Sequence, residues 1–418
     1  MIITAITSRR EFDELQDSWN ALLADSGSNG IFLTWEWMQT WWDFFQGDRQ
    51  LSILVGREGD RLAGIAPLMV VRRSFRGISY TSLEFIGSGS ESTPDHLDFI
   101  ARDDCRRAFI EAVFKYLSSG KQAWDVVYLR DMREDPALVD ALPSVTGRIC
   151  RVWRAASDLC PYITLPKTWD GYLGTLSSEG RYAVRRKERT LSKSFTVQFS
   201  IVSEQSVLDG VMRRLEETHR LRMSEKKLNG ESLDTAFWKF HAAIAKTLLQ
   251  RGWLFLGVLS VDDTIAACQH SFKYGGKVYY YQSGIDPAYG KYGVGAVLIA
   301  NMVRTAIQEG CSEYDFLRGV EEYKSHWTKT VRQSIEVLVG NKTAKGYLVV
   351  LLTILREHKS RVSRIFRRMF ADGPFSKRLI MTITVEAITV SEYLRTLQEP
   401  WNSALATVVS SIRGTVAL

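Results

Sequence analysis

Residues Tyr279 to Trp327 read YYYQSGID, then PAYGKYGVGAVLIANMVRTAIQEGCSE, then YDFLRG and VEEYKSHW. The first piece has the aromatic content of a strand, and the glycine turn Gly290-Lys291-Tyr292-Gly293-Val294-Gly295-Ala296 follows it. Val294, Val297, Leu298, Met302 and Ala306 then recur at helical spacing until Gly310 closes the helix, and YDFLRG supplies a second strand. Strand, glycine turn, helix, strand is the order that places free backbone N–H groups and a helix dipole around an anion. Glycines there let the backbone approach a pyrophosphate. The same glycines would equally serve a tight strand-to-helix connection with no ligand.

The surrounding pattern resembles acyltransferases of the GNAT superfamily, whose acyl-CoA turn has the form Gln/Arg-x-x-Gly-x-Gly/Ala. Gly293 and Gly295 fill the two small positions, and Gly290 stands where the amide or basic residue is expected. That departure points to the divergent CelD/BcsL-like acetyltransferases associated with bacterial polysaccharide and cellulose biosynthesis. Their signature is similar to Tyr314-Asp315-Phe316-Leu317-Arg318-Gly319 followed by Glu321-Glu322-Tyr323-Lys324-Ser325-His326-Trp327. Phe32-Leu33-Thr34-Trp35-Glu36-Trp37 with Trp41-Trp42, and the basic segment Arg181 to Arg189, also fit, so the resemblance covers roughly residues 1–340. Tyr323-Lys324-x-x-Trp327 also looks like an element of the FemABX aminoacyltransferases, which share a two-lobed GNAT architecture.

Composition sets broad bounds. The 418 residues, 45% hydrophobic and 24% charged, suffice for two domains with full cores. A net charge of +7 favours an anionic partner without demanding nucleic acid. Five cysteines, Cys105, Cys150, Cys160, Cys268 and Cys311, include no CxxC pair, which suggests neither a disulfide framework nor a zinc site, and a reducing cytoplasm. Met1 to Ile6 and Ser8-Arg9-Arg10-Glu11 read as a strand and a capped helix rather than a signal peptide, and no segment approaches the ~20 apolar residues of a membrane span.

Two regions share a rhythm. Leu51 to Val55, a turn at Gly59-Asp60 and Leu62 to Ala66 form one hairpin; Leu254 to Leu259, a turn at Asp262-Asp263 and Ile265 to Cys268 form another. Each is followed by a helix and a strand: Cys105 to Leu117 then Trp124 to Arg130, and Gly295 to Gln308 then Tyr314 to Arg318. The expected fold is α/β, two tandem GNAT-like lobes, each a mixed, mostly antiparallel sheet flanked by helices, plus a helical tail. The expected divisions are 1–165, then 166–340 with a basic helical linker at 177–193, then 341–418. Asp103-Asp104 precede the first lobe's helix, where acids repel an anion, so that lobe is assigned to the acceptor cleft. Arg181, Arg185 and Arg189 form a basic stripe that is either a solvated face or a clamp for an anionic acceptor or CoA phosphates. The tail, with Arg356, Lys359, Arg361, Arg364, Arg367 and Arg368 around apolar positions, packs on lobe two or lies on an anionic membrane face.

Acyl transfer from a thioester needs a bound CoA, donors for the carbonyl oxygen, and a proton acceptor. Lys291, Tyr292, Gly293, Gly295 and Ala296 are the expected CoA-binding residues. Lys324 is the side-chain candidate for oxyanion stabilisation, with His270, Asp315 and Tyr323 as further catalytic candidates; a lone histidine on a strand face such as that of His270 is more often a satisfied core residue than a base. Tyr281, Arg318, Glu322 and Arg185 are the candidates for holding the acceptor. No HExxH, GxSxG or Walker loop occurs, and no metal is expected. The resemblance thus implies acetyl-CoA or another acyl-CoA as donor and a sugar, amino sugar or cell-envelope polysaccharide precursor as acceptor, in the cytoplasm or at the inner face of the membrane. Two rivals stand beside it. One is FemABX-like transfer from aminoacyl-tRNA, whose binding would fall steeply with salt; the other is a non-catalytic partner in a biosynthetic complex.

Overall fold

The computed structural model describes residues 1–354, apart from 76, 90, 91, 93, 135, 136, 139, 140, 142–150 and 226–234. Fifteen strands are described: β1 (Ile2–Ile6), β2 (Gln50–Leu51), β3 (Ile53–Glu58), β4 (Arg61–Ala66), β5 (Leu68–Phe75), β6 (Ile78–Phe85), β7 (Ile100–Ala101), β8 (Val126–Arg133), β9 (Arg151–Thr164), β10 (Val197–Ile201), β11 (Gly257–Val261), β12 (Thr264–Tyr274), β13 (Lys277–Ile285), β14 (Glu313–Asp315) and β15 (Val331–Gly340). The two expected hairpins are β3–β4 and β11–β12, both antiparallel. Asp262 and Asp263 turn the second one with φ of 47° and 65°, the left-handed pair that matches the twist of a two-residue hairpin.

The chain is α/β, its strands gathered into two sheets flanked by helices. One sheet has the order β1-β3-β4-β7; the other, eleven strands wide, runs β10-β11-β12-β13-β14-β9-β15-β8-β6-β5-β2. Long strands make that second sheet continuous across both lobes. The end of β9 pairs with β14 at Tyr162–Thr164, while Arg151–Pro161 of the same strand pairs with β15, which in turn pairs with β8.

The helices start where side chains can satisfy their free N–H groups. Thr34 caps Trp35–Phe45, and Ser177 caps Ser178–Ser194 by accepting from the Gly180 N–H. Asp286 accepts from the Ala288 N–H, with Pro287 in the first turn, ahead of the short Pro287–Gly290 helix. Two cores result. One joins lobe one, through Trp19, Phe32, Trp37 and Phe85, to the helices Gln205–Glu225 and Thr235–Gln250 and to Cys268 and Phe272 of β12. The other lies on the opposite face of that strand, with Ala267, Tyr280, Tyr314 and the apolar side of the Val294–Gln308 helix.

Among the described residues no helix is long and apolar enough to cross a membrane. A helix spans 344–354, and the basic tail expected from Arg356 onward lies outside the described residues. Cys105, Cys160, Cys268 and Cys311 are buried and free; Cys150 falls outside the described residues.

Candidate active site

The strand β13 holds two neighbours along only part of its length. It pairs with β14, parallel, from Lys277 to Tyr279, and with β12, antiparallel, from end to end. Beyond Tyr279 the β14 side of β13 has no strand partner among the described residues, and the two strands part. A register shift between His270 and Ser271 leaves Tyr281 as the extra residue of a bulge, which bends β13 at the point of parting.

Into this opening comes the N-terminus of the Val294–Gln308 helix. Gly293 is its N-cap with φ 74°, a conformation that penalises any side chain, and no side chain caps the helix. The Ala296 and Val297 N–H groups bond the Gly293 carbonyl, while those of Val294 and Gly295 find no acceptor among the described residues. A side chain at Gly295 would meet Ile285 at 2.5 Å, so the helix start packs directly on β13. Gly290 faces open space, with nothing within 4 Å of where a Cβ would sit.

Between these elements lies a cavity of about 460 Å³, within the range of small-molecule sites. One wall is the helix face Gly180, Ala183, Val184 and Lys187; another is Gly290, Gly293, Gly295 and Ala296; the floor includes Gln269, Tyr280 and Ser283; Arg222, Tyr323, His326 and Trp327 complete it. The stem of Lys187 lies over Gly293, about 3.3 Å from a Cβ built there. Lys187 and Arg222 both line the cavity on which the uncapped helix N-terminus opens, and dipole and charges favour an anion there.

The cavity thus contains four of the residues expected from sequence: Gly293, Gly295, Ala296 and Tyr323. Tyr323 lies against Tyr280, ring centroids 6.3 Å apart, and the Tyr280 hydroxyl donates to Ser283 Oγ at 2.8 Å. Burial, with Tyr280 beside it, pushes the Tyr323 phenol far up, so it stays protonated at neutral pH. Lys291 and Tyr292 belong to the turn but not to the lining; the Lys291 ammonium sits 5.1 Å over the Tyr292 ring, which packs against Phe195.

The other nominated residues lie elsewhere. Lys324 is buried, its Nζ donating to the carbonyls of Arg318 at 2.6 Å and Gly319 at 3.3 Å and pairing with Glu321 at 2.9 Å. His270 points to the face opposite Gln269, wholly buried against His241 and Phe272, and burial pushes its pKa down to about 3. Tyr281 packs on Phe32 and Trp37 of lobe one. Arg185 and Glu322 are exposed.

Asp315 and Arg318 take part in a buried ionic cluster that joins the lobes. Arg318 bonds Asp95 at 2.7 Å and Asp131 at 3.0 Å; Asp315 bonds His96 at 3.0 Å and the Leu317 N–H at 2.8 Å, with Arg332 at 3.5 Å. His96, Asp131 and Leu317 each have φ 58°, a concentration of backbone strain held by the ion pairs around it. Burial pushes the Asp131 carboxyl up to about 6 despite Arg318. Burial also opposes ionisation of Asp315, but His96, Arg332 and the Leu317 N–H outweigh it and hold its pKa below the ordinary value.

Lys187, Gln269, His326 and Arg222 were not singled out from the sequence. Gly180, Ala183, Val184 and Lys187 follow helical spacing one face away from the arginine stripe, and their small residues are the signal of a face that leaves room for a ligand. Gln269 is an uncharged polar residue alternating with Ala267 on a buried strand, and His326 lies one helical turn beyond Tyr323 in Glu322–His326.

Residues 178–325 match the family described as Acetyltransferase (GNAT) domain, a span that holds the turn, both parted strands and almost all of the cavity lining. That segment is similar to GNAT acetyltransferase domains. Among solved structures, the crystal structure of FemX is similar over 80% of this chain and 97% of its own, with 10% identity and a TM-score of 0.54. A conserved protein of unknown function from Bacteroides thetaiotaomicron VPI-5482 is similar over 81% of this chain and all of its own, again with 10% identity, and a TM-score of 0.50. At that identity the likeness is one of fold. No curated protein matches the chain by sequence.

Proposed function

We propose that this protein transfers an acyl group from an acyl-CoA to an amine or hydroxyl of a sugar, amino sugar or cell-envelope polysaccharide precursor. The observation that carries the donor assignment is the uncapped, glycine-bearing helix N-terminus opening on a cavity between two parted strands. The Val294 and Gly295 N–H groups with Lys187 suit a pyrophosphate, and the unpaired edge of β13 suits the amides of an extended pantetheine arm. The acceptor class follows from the resemblance to polysaccharide-linked acetyltransferases.

In the reaction the acceptor nitrogen or oxygen attacks the thioester carbonyl carbon; a C–N or C–O bond forms, the C–S bond breaks, and the CoA thiolate leaves. His326 is the lining side chain suited to take the acceptor's proton, and the Tyr323 hydroxyl is suited to donate a hydrogen bond to the departing thiolate. Holding donor and acceptor together supplies much of the rate.

Calorimetric titration with acetyl-CoA tests this reading. The wild type is expected to bind with micromolar affinity. Gly290→Glu places a carboxylate in open space beside the pyrophosphate position without a steric clash, and should weaken binding by about tenfold or more. Gly290→Arg, which restores the basic residue of the related turn, should tighten it. Absence of binding, or indifference to the charge at residue 290, would remove the assignment.

A further inference from the structure

Arginines on the helix Gln205–Glu225 meet different fates. Arg214 pairs with Asp286 and with Glu217 at 3.5 Å, and Arg220 pairs with Glu216 at 2.7 Å. Arg222 is half-buried on the cavity wall and meets no carboxylate among the described residues, and no Asp or Glu stands in the lining.

The place of Arg222 along the cavity follows from its helix. Arg214 meets Asp286, and Thr218, one turn on, abuts Gly284. Four helix residues thus advance as far as two strand residues, about 6 Å in each case. One further turn brings Arg222 level with Gln282, near enough to Tyr280 for its charge to act on that phenol. About 10 Å of strand then separates it from Ile285, on which Gly295 packs. The helix also lies on the other face of the sheet. Leu208, Val211 and Leu215 belong to the core with Cys268 and Phe272, whereas the helix that follows the glycine turn belongs to the core with Ala267 and Tyr280. A donor held at that turn, with its pantetheine arm along the open edge of β13, presents its thioester toward the end where Arg222 reaches in from the opposite face. The cation is placed for the second substrate.

A half-buried guanidinium without a counter-ion is unfavourable until one arrives, and its planar fork matches a carboxylate or a phosphate. We infer that Arg222 receives an anionic group, a carboxylate or a phosphate, borne by the acceptor. The acceptor is then an acidic or phosphorylated sugar or amino sugar. This rests on the acyl-CoA reading above and narrows its acceptor.

The test is calorimetry on the whole protein saturated with CoA, so that the pyrophosphate position is filled. The probes are glucosamine against glucosamine 6-phosphate and glucose against glucuronate, with inorganic phosphate as competitor. At least one anionic sugar should bind about tenfold more tightly than its neutral counterpart, as a charge-assisted hydrogen bond predicts, and phosphate should displace it. Arg222→Gln should erase that preference and leave the affinity for CoA within about twofold of the wild type, whereas Lys187→Gln should weaken CoA. The wild-type comparison decides the matter even if a variant folds poorly. If CoA binds but no anion is preferred, or the preference survives Arg222→Gln, the inference fails and the donor assignment stands. If Arg222→Gln weakens CoA instead, the cation belongs to the donor and the inference fails. If CoA itself does not bind, both fall.

Discussion

At the scale of the residue, similar chemistry in the sequence resolves into different physical situations. Lys324 carries the charge that a developing oxyanion needs, yet its ammonium is 4% exposed and already bonded to two carbonyls and Glu321. It ties the end of YDFLRG to the following turn. Lys324→Met is expected to strand those carbonyls and lower unfolding free energy by about 3 kcal/mol in urea titrations, with CoA affinity retained under folding conditions. A variant as stable as the wild type that has lost only turnover would restore Lys324 to the chemistry. Asp315 is similar, its charge met by His96, Arg332 and a backbone N–H. The sequence pointed to Gly293 and Gly295 through the backbone of the turn, and both stand at the uncapped helix start that lines the cavity. Side-chain roles were harder to read, because His270 and Gln269 are adjacent on one strand and only the register of the sheet decides which of them faces the cavity.

At the scale of the element, the site depends on β13 being gripped on one side and released on the other. The grip includes the helix Gln205–Glu225, which lies so close to Gly284 that an added Cβ would collide with Thr218 Oγ1 and come within 3.0 Å of the Leu215 carbonyl. Gly284→Ala should therefore push the helix from the strand and cost about 1–3 kcal/mol by thermal unfolding. Combined with Thr218→Ala, which removes the hydroxyl but not the carbonyl, it should recover part of that loss. Full additivity of the two changes would show that the helix does not bear on the strand there. Hairpins, the glycine turn and the capped basic helix were legible in the sequence because local rules specify them: paired acids at a tight turn, serine before a helix, apolar residues at helical spacing. The parting of β13 from β14 was not. It arises from which strands stop pairing, and no local pattern encodes a hydrogen bond that is not made.

At the scale of the molecule, two lobes with a common rhythm were visible in the sequence, but their fusion was not. The sheet passes from one to the other through β9 and β15, and the larger core draws on Trp37 and Phe32 of the first lobe with Phe240 and Phe272 of the second. Such long-range pairing leaves no periodic trace. His270 and His241 lie in that shared core with their rings 5.4 Å apart, and burial depresses the pKa of both. Because His270 is held at about 3 against an ordinary 6.5, the folded state binds fewer protons than the unfolded state between those values. Its contribution is full above pH 6.5 and is lost as pH falls toward 3, by about 1.4 kcal/mol per unit. Asp131, raised to about 6, has the opposite sign, favouring the folded state as pH falls through the same window, but it is common to both proteins compared. His270→Leu should therefore lose about 3 kcal/mol less stability than the wild type between pH 7 and pH 4. Since the charge arises in a core that both lobes share, the acid transition should also be single. Tryptophan fluorescence, which reports Trp19 and Trp37 in lobe one as well as Trp327 in lobe two, should coincide with far-ultraviolet circular dichroism at every pH. Two separated transitions would mean that the strands and core joining the lobes do not bind them into one cooperative unit.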